Sequence, residues 1–244
     1  MADFATIQDR TLRLAENREP LPESLLLEIP DIINQQIRRA VDMHTWRCTE
    51  TEVVRTTSAG VRTLGIYPTD WRRQRSRPYL LSNTGGITLL EWLPSEEEAR
   101  RRYSEAVTAV GAPCHLLDRA TDVAVYPFSG GASDYVDLEY RVHIPYYGYL
   151  AALVAGTDTN WFTVNAENFC VYAAVGEIFA RLGRPQAVDY LFTDEARVAR
   201  EPVTQADREF SRLVRSAKLE RAGTDLTFVP KRDAYANWGQ RRGA

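Results

Sequence analysis

The sequence predicts an α+β fold: a helical bundle formed by both chain ends, with an inserted β-rich module between them. Two observations carry this. Apolar residues recur at helical spacing near both ends, at Ile33, Ile37, Ala40 and Val41 and again at Ala206, Phe210, Leu213 and Ala217. Between them the pattern shortens to alternation broken by glycine-containing turns. The expected boundaries are 1–47 and 146–222 for the helical bundle domain, 48–145 for the inserted module and 223–244 for a C-terminal extension. An apolar fraction of 44% over 244 residues is enough to build a core.

Phe4, Ile7, Leu12 and Leu14 predict a short opening helix, ended by Pro20-Leu21-Pro22 because proline fixes φ and lacks a backbone donor. A second helix is expected to start after Pro30 and Asp31, residues suited to a first turn. Ile33, Ile37, Ala40, Val41 and His44 lie on one of its faces, and Trp46 closes it. Thr51 to Thr57 and Val61 to Ile66 flank Ser58-Ala59-Gly60 and predict a hairpin. Tyr79 to Leu81 and Ile87 to Trp92 predict two further strands around Asn83-Thr84-Gly85-Gly86.

Pro94-Ser95-Glu96-Glu97-Glu98 predicts the start of a charged helix with acids at its N-terminal turn, ending at Gly111-Ala112-Pro113. Val123 to Tyr126 and Tyr135 to Val142 predict a second β-pair around Ser129-Gly130-Gly131. Asn165 to Leu182 is apolar around most of its circumference, the signature of a helix central to a bundle. After Pro185, the stripe Val203, Ala206, Phe210, Leu213, Val214 and Ala217 predicts a last amphipathic helix, with Gly223 as its stop.

The net charge of −3 gives no basic balance toward nucleic acid. Of 30 basic residues only Lys218 and Lys231 are lysines, a bias that either a GC-rich genome or bidentate pairing at interfaces explains. Cys48, Cys114 and Cys170 are too few and scattered for a disulfide framework and suit a reducing compartment. Met1 to Ala15 has no apolar core of a signal peptide, and no stretch approaches a bilayer span, so no membrane association is expected.

Nucleotide-binding and hydrolase motifs are missing: the glycine turns precede no lysine, and there is no Gly-x-Ser-x-Gly or His-Glu-x-x-His. His44, Cys48, Cys114 and His115 are zinc-type ligands. Adjacent Cys114 and His115 in a strand are expected to face opposite ways, so no metal site, no cofactor and no enzyme activity is expected. A metal-dependent hydrolase using these four residues is the outlying rival.

Arg72, Arg73, Arg75 and Arg77 lie beside Trp71 and Tyr79. Basic residues among aromatics suit a nucleic-acid groove, so a nucleic-acid-binding module is the alternative function. The acidic chain favours reading Trp71 and these arginines as a candidate subunit interface. In the extension, Phe228, Tyr235 and Trp238 stand among Arg232 and Arg241, residue types that carry binding hot spots. They are expected to be partner-binding.

The order of motifs resembles the head-to-tail adaptor (connector) proteins of tailed bacteriophages. Trp46 is followed by the Val53–Ile66 segment and by Tyr67-Pro68-Thr69-Asp70-Trp71. Gly111-Ala112-Pro113, Val123 to Pro127 and Asp137 to Val142 come next, then Asn160-Trp161 and Tyr172-Ala173-Ala174-Val175-Gly176-Glu177. The resemblance implies a structural virion protein at the head-tail junction, made in the host cytoplasm. It implies a ring of about twelve copies closed by heterologous contacts. Its partners would be the portal, through the C-terminal residues, and the tail proteins below. Packaged DNA would pass through the channel without sequence-specific binding.

Overall fold

The computed structural model describes residues 2–16, 19–58, 61–81, 86–103, 112–119, 122–126, 139–193 and 204–225. The chain divides into two compact units, Met1–Arg47 with Ala152–Ala244, and Cys48–Ala151.

In the first unit, α1 (Phe4–Ala15) is capped by Asp3, whose carboxylate accepts from the Thr6 amide at 2.9 Å. Its buried face is Phe4, Ile7, Thr11 and Ala15, while Leu12 and Leu14 are only half-buried. Helix α2 (Glu23–Met43) begins directly after Pro22 and runs through Pro30, correcting the expected start beyond that residue. An internal proline costs about 3 kcal/mol. Leu25 and Ile29 before it, with Ile32, Ile33 and Ile37 after it, bury one continuous face that offsets the cost. Asn34 fastens the helix: its amide donates to the carbonyls of Pro30 and Leu153, and its oxygen accepts from the Leu153 amide.

Short α4 (Trp161–Asn165) is capped by Asn160 and leads into α5 (Glu167–Arg181), against which α1, α2, α6 (Ala187–Tyr190) and α7 (Gln205–Asp225) pack. Phe169, Cys170, Ala173, Ala174, Ile178 and Phe179 of α5 are all buried, and burial pushes the Cys170 thiol up. Trp46 is sealed into the same core, its indole N–H donating to the Ala40 carbonyl at 2.9 Å. Asp207, buried at the start of α7, accepts from the amide and hydroxyl of Thr193. Helix α7 continues through Gly223, so that glycine is not its stop.

Gly176 fixes how close the segment after α6 comes to α5. A Cβ there would lie 2.5 Å from backbone atoms of Tyr190 and Leu191. Gly176→Ala is therefore expected to destabilise the chain by about 1–3 kcal/mol, the cost of overpacking, read as a lowered urea midpoint at constant slope. A neutral or stabilising result would mean that the close approach is not held in solution.

In the second unit the 3₁₀ turn Arg47–Thr49 leads into nine strands. One sheet has the order β1-β9-β4-β5, with β3 also pairing β9; the other has the order β2-β8-β7-β6. The first joins β1 (Glu50–Thr56), β3 (Trp71–Gln74), β4 (Tyr79–Leu81), β5 (Ile87–Leu89) and β9 (Arg141–Gly148). The second joins β2 (Thr63–Gly65), β6 (Glu91–Leu93), β7 (His115–Asp118) and β8 (Val123–Tyr126). Leu80, Val142 and Ile144 of the first sheet meet Leu64, Leu116 and Val125 of the second in one cluster.

Several expectations are corrected. The α+β class stands, but the helices are not a bundle formed by both ends. They range from 4 to 21 residues and gather around α5 from several sides, because α5 is apolar around its circumference. One more helix, α3 (Glu96–Arg102), lies among the strands. The β1–β2 hairpin does not form: β1 pairs with β9 and β2 with β8. Strands β8 and β9 likewise belong to different sheets, while β4 and β5 do pair as expected. The strand expected over Ile87 to Trp92 divides at Leu90, which is fully buried where the chain changes sheets. Ser95 caps α3 as the acidic first turn predicts. The connection carrying α3 makes β6 and β7 parallel. Gly111, the Ser129-Gly130-Gly131 turn and Val203 lie outside the described residues.

Candidate assembly surface

The sheet around β9 has one face turned to the core and one turned outward. Val53, Val142, Leu80 and Ile144 point inward. Register then fixes the outward rows, since residues directly opposite share a face. One row is Val54, His143, Tyr79 and Leu89, and the next is Thr56, Arg141, Leu81 and Ile87. An outward sheet face is ordinarily polar, yet here Val54, Leu81, Ile87 (64% exposed) and Leu89 (57%) all meet solvent. Among the described residues β1 and β5 are the outer strands of this sheet, and β5 carries no charge or proline of the kind that protects an edge.

A polar cluster anchors the middle of the face. The Tyr79 and His143 rings stack at 4.8 Å. Tyr79 donates its hydroxyl to Glu52 Oε1 at 2.7 Å, and His143 Nδ1 lies 3.2 Å from Glu52 Oε2. That hydrogen bond to a carboxylate, helped by slight burial, raises the Tyr79 phenol above its ordinary range. Beside them opens a shallow recess of about 660 Å³ lined by Glu50, Arg75, Pro145 and Tyr147 among others.

The arginine cluster meets this surface. Arg75 pairs with Glu50 at 2.8 Å, and Arg73 lies over the Tyr147 ring at 5.2 Å. Arg77 is exposed and Arg72 half-buried. Trp71 is not a surface aromatic: it stacks on Tyr146 at 4.8 Å, contacts Tyr67 and packs against the core. The period of β3 separates it from the residues that flank it, a signal hidden by reading the run as a loop. Sequence reasoning also missed the exposed Leu81, Ile87 and Leu89, because their strands were recognised without the pairings that decide which face they share.

His44 follows α2 in the helical unit, with its ring edge-on to Trp46 at 4.8 Å. Cys48 belongs to the other unit. Cys114 and His115 do not face opposite ways: Sγ and Nδ1 lie 3.1 Å apart. Cys114 precedes β7, so strand alternation does not govern it. Among the described residues no group of three or more His, Cys, Asp or Glu gathers at metal-binding spacing, and no helix is long and apolar enough to cross a membrane. Phe228, Arg232, Tyr235, Trp238 and Arg241 lie outside the described residues.

No curated protein matched the chain. The family model described as SU10 adaptor protein matches residues 2–236, nearly the whole length. That membership carries a structural role as a phage adaptor, a place in the virion at the head-tail junction and a family that is typically non-enzymatic. The chain belongs to the SU10 adaptor protein family.

Proposed function

We propose that this chain is a ring subunit that docks on the portal, extends the DNA channel and gives the tail its platform. The observation that carries the reading is the family match over residues 2–236. A ring closes by heterologous contacts, in which different patches of neighbouring copies meet. The outward face bearing Val54, Leu81, Ile87 and Leu89, with Arg72, Arg73, Arg75 and Arg77 beside it, supports a side-to-side role. Trp71 acts from beneath by holding β3 against the core. Phe228, Arg232, Tyr235, Trp238 and Arg241 are the portal-binding residues in this reading, with the arginines pairing to portal carboxylates. The ring holds about twelve copies by family analogy. The tail proteins bind below, and DNA passes without sequence-specific contact. The boundaries 1–47 with 146–222, 48–145 and 223–244 serve as functional divisions: a body, an assembly module and a docking extension.

Subunits whose faces are completed by neighbours gain stability on assembly. The purified chain mixed with its cognate portal is expected to elute as a ring-bearing complex in size-exclusion chromatography, with rings visible by electron microscopy. A chain that stays monomeric beside the portal at high micromolar concentration would overturn the docking reading.

A further inference from the structure

Three donor atoms converge where α3 ends against β7. The Tyr103 hydroxyl lies 2.5 Å from His115 Nδ1 and 3.1 Å from Cys114 Sγ, and those two are 3.1 Å apart. The backbone beneath is fixed. Cys114 donates its amide to the Tyr126 carbonyl and accepts at its own carbonyl from the Glu91 amide. Register sets His115 between Glu91 and Tyr126, and Tyr103 stacks on the Tyr126 ring at 5.4 Å. His115 is mostly buried, while Cys114 is open enough to admit an ion.

We propose that Cys114 Sγ, His115 Nδ1 and Tyr103 Oη form a binding site for a single divalent ion of the zinc class. Thiolate and imidazole are the ligands such ions prefer. A ligating histidine ordinarily gives its other ring N–H to a carboxylate, and Glu91 Oε2 stands 3.8 Å from His115 Nε2. In the metal-free chain Arg102 Nη1, which can only donate, lies 3.2 Å from Nε2, so Nδ1 carries the ring proton. Binding moves that proton to Nε2, toward Glu91, and releases the thiol and phenol protons to solvent. Arg102 keeps its 2.6 Å bond to Glu98 when it leaves the ring. Burial and the Arg102 charge hold His115 below its ordinary range, keeping the ring neutral and able to ligate. Burial and the neighbouring thiol raise Tyr103; a bound cation reverses that preference by stabilising the anionic form.

The test is cobalt(II) titration of the reduced, full-length chain. A thiolate-to-cobalt charge-transfer band saturating at one equivalent is expected, and zinc should displace it. Cys114→Ser should abolish the band and Cys48→Ser should leave it intact. Glu91→Gln should weaken binding about 10–100-fold, the usual loss for a carboxylate behind a ligating histidine. In the unaltered protein, zinc should also slow alkylation of Cys114 read by mass spectrometry, which keeps the site testable if Cys114→Ser does not fold. No cobalt band, a band surviving Cys114→Ser in a folded variant, or alkylation indifferent to zinc would each reduce the cluster to a hydrogen-bonded network and overturn the site.

Discussion

Phe169→Ala is expected to lower the stability of the helical unit by about 3–5 kcal/mol, the range for truncating a buried phenylalanine. Phe169 is fully buried, with the rings of Phe162, Phe192 and Phe210 at 6.1, 5.0 and 5.8 Å. These rings come from α4, α7 and the segment after α6, so one side chain ties three neighbours to α5. The loss is a large fraction of a typical domain's stability. At about 2–4 °C per kcal/mol for a chain of this size, the helical transition should fall by roughly 6–20 °C. Circular dichroism of the full chain measures it. A shift below about 2 °C would mean that the surrounding rings collapse into the space without loss.

Truncation after Asp225 is expected to leave that transition in place and to abolish docking on the portal. The buried residues of α7, Ala206, Asp207, Phe210, Leu213 and Ala217, all precede the cut. The residues removed include Phe228, Tyr235 and Trp238 with Lys231, Arg232, Arg241 and Arg242. Aromatic anchors of this kind offset the entropy of ordering a chain segment on a partner. Particles assembled with the truncated chain should lose DNA or lack tails, and a pull-down on purified portal gives the direct measurement. Full docking by the truncated chain would remove the role assigned to the extension while leaving the family membership intact. The cut belongs after Asp225 and not at Gly223, since α7 continues through the glycine.

Periodicity made the long helices legible. The stripe from Ala206 to Ala217 lies on α7, and the apolar circumference of Asn165 to Leu182 belongs to the central α5. Local signals failed where packing overruled them. Proline suggested a boundary at Pro30, but apolar residues on both sides of it bury together. Strand positions were largely readable because alternation is local. Partners were not, because Ser58-Ala59-Gly60 marks a turn without saying that the arms enter different sheets. The candidate surface was half legible: the arginines stood out by charge, while Ile87 and Leu89 became surface residues only once β4 was seen between β5 and β9. Cys114 and His115 were misjudged because alternation was applied one residue before the strand begins.

Strand β9 carries an implication for how the chain is made. It pairs with β1 along one edge and with β3 and β4 along the other, so it is the keystone of its sheet. Yet it is the last of these strands to be synthesised. Thr57 and Tyr140, which bond at the end of the β1–β9 ladder, stand 83 positions apart. At bacterial elongation rates of about 5–20 residues per second, roughly 4–17 s separate their emergence from the ribosome. During that interval the apolar residues of β1, β4 and β5 wait without the strand that orders them, and the β4–β5 pair alone is only a marginal hairpin. The timetable of translation thus makes the second unit close late and all at once, when β9 slots between strands already outside the ribosome.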